Sequence, residues 1–131
     1  MAQYLLDTTV LIDWLNDRPH TVRRVRSLMA AGDEILASPV SVEEVVRGMR
    51  VEEADDVARL VQAVRVPPIG AAEAWKAGDW RREAALEGIT LSQPDCLIAA
   101  GAWGIGARLA TGNPKHFPME EIAVEHWPAG E

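Results

Sequence analysis

Asp7, Glu44, Asp95 and Asn113 are the residues whose types and positions could do chemistry together. Each falls where an apolar, strand-like run hands over to a helix or a loop. Asp7 closes Tyr4-Leu5-Leu6, and Glu44 opens the helix after Ile35-Leu36-Ala37. Asp95 follows Pro94 at the head of an alanine-rich helix, and Asn113 follows Arg108-Leu109-Ala110-Thr111. If those strands are parallel neighbours, all four side chains converge at the carboxyl edge of one sheet. Three carboxylates and an amide crowded together repel one another unless a cation lies between them. The pattern therefore predicts a Mg²⁺ or Mn²⁺ site and, with it, metal-assisted hydrolysis of a phosphodiester.

Taken singly, each residue has an ordinary structural explanation. Asp7 is a good helix N-cap. Ser41-Val42-Glu43-Glu44 matches the Ser-x-x-Glu capping box. Asp95 sits in a first helical turn, where the dipole favours an anion, and Gly112-Asn113-Pro114 is a turn signal. None of these explanations requires all four to flank one crevice. The two roles are also compatible, because a helix N-terminus keeps its carboxylate ionised for a cation.

The elements that must position them alternate along the chain. A strand at 3–6 leads into a helix carrying Val10, Leu11, Ile12, Trp14 and Leu15, which Asn16-Asp17-Arg18-Pro19 breaks. A second helix with Val22, Val25, Leu28 and Met29 runs to the Gly32-Asp33 stop. Residues 35–37 form a buried strand, Ser41 starts a helix that Gly48 interrupts, and 53–63 is helical with Val57, Leu60 and Val61 on one stripe. A third strand is predicted at 64–66, before Pro67-Pro68. A long helix covers 71–87, another 94–103, and strands follow at 107–111 and 122–125. Strands alternating with helices imply a mainly parallel sheet covered on both faces. Ligands in such sheets bind outside the carboxyl ends of the strands, where the winding reverses.

At 131 residues the chain reads as one domain, 1–131, with no repeat or linker to divide it. A net charge of −7 excludes a general basic nucleic-acid binder. It leaves room for a nuclease in which a few local cations hold phosphates and a metal supplies the decisive charge. Arg23, Arg24 and Arg26, the pair Arg81 and Arg82, and Lys115 are the candidates, each otherwise a solvated helix face. The lone Cys96 and the lack of a leader pattern predict a reduced, cytoplasmic protein with no membrane span.

These residues bring the chain to a resemblance. It is similar to the PIN-domain ribonucleases of the VapC toxin type. Asp7-Thr8-Thr9-Val10-Leu11-Ile12-Asp13 resembles that family's opening segment, and 38–48, with Glu44 four before Gly48, resembles its second block. Asp95-Cys96-Leu97-Ile98-Ala99-Ala100-Gly101-Ala102 matches the third, and Thr111-Gly112-Asn113-Pro114-Lys115-His116-Phe117 resembles the closing Thr-x-Asn-x-x-His-Phe. Single blocks are weak signals; four in order, spanning Asp7 to Phe117, are strong. The resemblance implies an α/β three-layer sandwich with a parallel five-stranded sheet, order 3-2-1-4-5, and helices on both faces. It also implies a homodimer, a VapB-like antitoxin that inserts a segment into the active-site groove, and a structured RNA substrate such as tRNA or rRNA. One departure is an amide at Asn113, where many relatives carry a fourth acid.

On this reading Asp7, Glu44 and Asp95 hold the metal, and Asp95 also accepts the nucleophile's proton. Thr9 or Thr111 orients a phosphate oxygen or water, and Asn113 positions a metal-associated water. Asp13 is read as surface and His116 as a loop residue. A housekeeping PIN nuclease, or a non-catalytic module that binds RNA or protein on the same fold, are the alternatives. Haloacid-dehalogenase phosphatases fit less well, because Thr9 stands where their second Asp would be. No Walker lysine loop or GxGxxG signals a nucleotide site.

Overall fold

The computed structural model describes residues 1–131. Its centre is a parallel sheet of four strands in the order β2-β1-β3-β4, with β1 Gln3–Leu6, β2 Glu34–Ala37, β3 Arg108–Thr111 and β4 Val124–His126. Leu5 is paired with Leu36 on one side and Leu109 on the other. Successive side chains alternate across a sheet, and both faces here are apolar. Leu5, Leu36 and Leu109 enter one core with Ala77, Trp80 and Ile98. Leu6, Ile35, Ala37 and Ala110 enter a second core with Val10, Leu11, Val25 and Val57. That is why β1 reads as an apolar run from Tyr4 to Leu6: a strand covered on both faces leaves no position there for a charge. Each fully buried aliphatic side chain contributes about 1.5–3 kcal/mol.

Six helices supply the outer layers. On the second core lie α1 Thr8–Leu15, α2 Pro19–Ala30, α3 Pro39–Gly48 and α4 Ala54–Ala63, with a 3-10 turn at Val51–Glu53 before α4. On the first lie α5 Ala71–Leu86 and α6 Gln93–Ile105, which pack closely on each other. No helix is long and apolar enough to cross a membrane. The three-layer α/β arrangement expected from the chain is present. Of the tryptophans, Trp80 and Trp127 are buried, whereas Trp75 and Trp103 are exposed.

The strand expected at 64–66 is the main difference. It is reduced to one parallel bridge, Arg65 to Leu36, so the sheet has four strands and not five. The order is otherwise as expected, since Arg65 lies outside β2. Pro67 and Pro68 explain the shortening, because proline has no N–H to donate to a ladder. Asp13, read as surface, is buried, and its Oδ2 accepts a 2.9 Å bond from the Gly130 N–H. The carboxylate thereby pins the C-terminal segment onto α1.

β2 and β3 lie on opposite sides of β1, so the winding reverses at the junction of β1 and β3. Asp7 and Gly112 follow those two strands directly, and the Asp7 N–H donates to Ala110 O at 2.9 Å. The crevice where such folds bind ligands therefore opens beside Asp7.

Candidate active site

Asp7 is the N-cap of α1 and is 5% exposed. Its Oδ1 accepts from the Thr8 N–H at 2.7 Å, and its Oδ2 from the Thr111 hydroxyl at 2.7 Å and the Thr9 hydroxyl at 3.4 Å. Burial pushes its carboxyl above the usual carboxylate range. The Thr111 and Thr8 hydrogen bonds pull it back, the nearby Asp95 charge pushes it further up, and Thr9 pulls it down. Asp7 is thus a desolvated carboxylate that hydrogen bonds favour ionising and that no cation neutralises. No Lys, Arg or His lies within ion-pair distance of it or of Glu44.

Glu44 occupies the second turn of α3, because the helix starts earlier than Ser41. Ser38 is the N-cap, its hydroxyl accepting from the Val40 N–H at 3.1 Å, and Pro39 is the first helical residue. The capping box at Ser41 is therefore not formed, and Glu44 is free of the helix end. Its Oε1 lies 2.7 Å from the Thr8 hydroxyl, which is 3.0 Å from the buried Ser41 hydroxyl. A carboxylate only accepts, so the Thr8 proton goes to Glu44 and Ser41 donates its own to Thr8. Thr8 thus ties Asp7 through its amide to Glu44 through its hydroxyl. Thr8 and Ser41 were not picked out from the sequence. The signal was there in part: Thr8 adjoins Asp7, and Ser41 shares a helix face with Glu44 at i, i+3.

Asp95 lies in the first turn of α6, whose N-cap Ser92 accepts from the Asp95 N–H at 3.2 Å. The cap thus uses the Asp95 amide and leaves its carboxylate, 26% exposed, to the crevice. His116 Nδ1 is 3.5 Å from Asp95 Oδ2, a contact that is an ion pair only when the imidazole is protonated. His116 is more than a loop residue, since it faces Asp95, a ligand candidate that solvent reaches. Next to Asp95, burial pushes the Cys96 thiol up to about 11 against a lowering pull from the Arg81 charge.

The threonines expected at the substrate both bond Asp7 Oδ2. Thr111 is fully buried, gives its proton to Asp7 and accepts from the Asn113 N–H at 3.0 Å. With no solvent access, it acts by orienting Asp7. Thr9 accepts from the Gly112 N–H at 3.1 Å. A side chain at Gly112 would meet Ala129 Cβ at 3.2 Å and Thr9 Oγ1 at 3.3 Å, so glycine lets these segments approach without displacing either neighbour. Asn113 is exposed at the head of a 3-10 turn, Pro114–His116.

The donor set fits a hard divalent cation in kind. Every group is an oxygen, three are carboxylates, and two of these lack a cationic partner. As they stand, no three of the His, Cys, Asp and Glu side chains are gathered closely enough to hold an ion. The crevice therefore offers donors rather than a closed cage. Glu44 also borders an open cavity of about 250 Å³ with Ile12, Leu15, Met49 and Arg50. A larger cavity, about 420 Å³, lies under Trp80 and Met119 and contains none of the three carboxylates.

Thr8→Val keeps the shape of the side chain and removes the hydroxyl that serves Glu44 and Ser41. A buried hydroxyl and a half-buried carboxylate lose a partner, and unfolding in urea is expected to show a loss of about 1–3 kcal/mol. An unchanged midpoint would mean that water replaces Thr8 at no cost.

The chain matches the PIN-domain family over residues 4–122. It is 39% identical over 118 residues to the ribonuclease VapC10 of Mycobacterium tuberculosis, covering 89% of this chain and 87% of that protein. The ribonuclease VapC19 of the same organism is 31% identical over 115 residues, covering 88% and 92%. Among solved structures, VapBC2 from Rickettsia felis, bound to a DNA fragment from its promoter, superposes with a TM-score of 0.83. That match, at 22% identity, covers 95% of this chain and 98% of that one, and it speaks for the fold alone. With most of its length inside the family and the blocks around Asp7, Glu44, Asp95 and Asn113 in order, the chain belongs to the PIN-domain family, among its VapC-type ribonucleases.

Proposed function

We propose that this chain is a Mg²⁺- or Mn²⁺-dependent endoribonuclease and the toxin of a VapBC-type pair, cutting a structured tRNA or rRNA to arrest translation. The observation that carries the reading is Asp7: a carboxylate buried at the carboxyl edge of the sheet, coupled to Asp95 and left without a cationic partner. Asp7, Glu44 and Asp95 would hold the ion directly or through water, with Asn113 orienting a water beside them. When bound, such an ion neutralises the scissile phosphate and lowers the pKa of an attacking water. Thr111, Thr8 and Thr9 fix both oxygens of Asp7, and Thr8 fixes one oxygen of Glu44. Asp95, more accessible than Asp7, takes the proton of the nucleophile.

The partner in this reading is a VapB-like antitoxin that lays a segment into the groove at the site. Ile12, exposed beside Glu44 in its cavity, and Val46 and Val51, exposed at and just beyond the end of α3, would give that segment an apolar border. The toxin would act as a homodimer and in the cytoplasm, where the free, buried thiol of Cys96 stays reduced.

Thermal unfolding with and without metal tests the reading. Millimolar Mg²⁺ or Mn²⁺ is expected to raise Tm by roughly 2–8 °C, and Asp7→Asn to weaken the rise. Protons compete for Asp7 at a higher pH than for an ordinary carboxylate, so the rise is full above its raised pKa and shrinks as pH falls through it. In chelator the sign reverses. The unfolded chain ionises Asp7 first, so stability is lost as pH climbs from the unfolded value to the raised folded one. Asp7→Asn lacks that loss. A melting curve indifferent to both ions and to chelator contradicts the site.

A further inference from the structure

We propose that Arg81 and Lys115 form a phosphate-binding pair that seats the RNA backbone beside Asp95. The proposal rests on the ribonuclease reading and deepens it. A chain of net charge −7 that carries three carboxylates at its site must still draw a polyanion to that site. Of its 13 basic residues, six are paired with a carboxylate and two more lie over the rings of Trp127 and Tyr4. Three of the remaining five, Arg18, Arg23 and Arg26, belong to α2 and the residue before it. The other two, Arg81 and Lys115, lie on separate elements, α5 and the 3-10 turn after β3, each of which meets the helix that carries Asp95 or the residue before its cap.

Arg81 is held in an unusual way for a surface arginine in an acidic protein. Its neighbour Arg82 takes Asp79 as a partner, at 3.2 Å. Arg81 instead donates from Nε to the carbonyl oxygen of Leu91, at 3.0 Å. Leu91 directly precedes Ser92, the cap of the helix that carries Asp95. The tether uses Nε alone, so both terminal nitrogens stay available for the forked contact that guanidinium makes with phosphate. Part of the ordering cost of that contact is already met by the tether. Its position near the α6 N-terminus agrees with the pull of its charge on Cys96. Lys115 is carried by a separate element, the 3-10 turn after β3, and directly precedes His116, which lies 3.5 Å from Asp95. A strand crossing between them would place a phosphate over Asp95 with its neighbours on the two cations.

Binding of a fluorescein-labelled oligouridylate, followed by anisotropy at several salt concentrations, tests this. Ca²⁺ replaces Mg²⁺, so that the carboxylates have an oxygen-seeking cation during the measurement. Arg81→Ala is expected to bind about tenfold more weakly at low salt, with the slope of log K against log salt shallower by about 0.7. Lys115→Ala should move the same way, and the double variant further. Arg81→Lys should recover the slope but only part of the affinity, having lost the fork and the tether. Arg82→Ala should stay within about twofold of wild type. A merely structural stitch to Leu91 would lower Tm and leave the salt slope alone. Wild-type affinity and slope in Arg81→Ala, or an equal loss in Arg82→Ala, overturns the pair and leaves the ribonuclease reading standing. Failure of the wild type to bind the oligouridylate overturns the pair, and failure to bind a structured RNA as well overturns both.

Discussion

Removing any one of Asp7, Glu44 or Asp95 is expected to slow RNA cleavage on the order of a thousandfold, and removing two or three to cost little more. The three carboxylates come from three separate helices, yet two are tied through Thr8 and two are coupled by charge. On the proposed reading a cation shared among them would be lost with any one ligand, so the losses should not add. Single-turnover cleavage of a structured RNA by the single, double and triple alanine variants reads this directly. Additive losses would mean that the residues act separately. Asn113→Ala should cost less, because it deletes no charge. Asn113→Asp adds a fourth carboxylate and should alter metal preference or concentration dependence while cleavage persists.

Growth of cells expressing the chain alone is expected to stop, and co-expression of its cognate antitoxin to restore it. An endonuclease that cuts an RNA needed for translation acts catalytically, so a few molecules suffice and the phenotype is close to all-or-none. Asp95→Ala should be harmless by itself and should still bind the antitoxin. The apolar border at Ile12, Val46 and Val51 is untouched by that substitution, and contact area of this kind holds a partner independently of the metal. Colony counts and co-purification of a tagged antitoxin give the two readouts. Arrest by Asp95→Ala would show that the toxicity has another source.

Much of this arrangement was legible because the chain writes it locally. An apolar run closed by Asp7 is at once a strand end and a helix cap, and the structure has both. The position of Glu44 was legible while its local reason was not. Ser41-x-x-Glu44 reads as a capping box, but Ser38-Pro39 is the stronger start and puts Glu44 one turn inside α3. The strand at 64–66 lost to the missing N–H groups of Pro67 and Pro68, a constraint visible in the sequence and outweighed there by valine's strand preference. Contacts between distant residues were illegible. Thr8 meets Ser41 and Glu44, and Thr111 meets Asp7, across stretches that no local pattern links. Asp13 was misread for the same reason, since its partner Gly130 lies at the other end of the chain.

Cleavage of a structured RNA by purified, antitoxin-free protein, with Asp7→Ala purified in the same way beside it, tests the central claim most directly. The account predicts cuts at one or a few sites with Mg²⁺ or Mn²⁺, none in chelator, and none from Asp7→Ala under any condition. Equal cleavage by the two proteins, or cleavage that survives chelator, would contradict it and leave a contaminating nuclease beside a non-catalytic binding module.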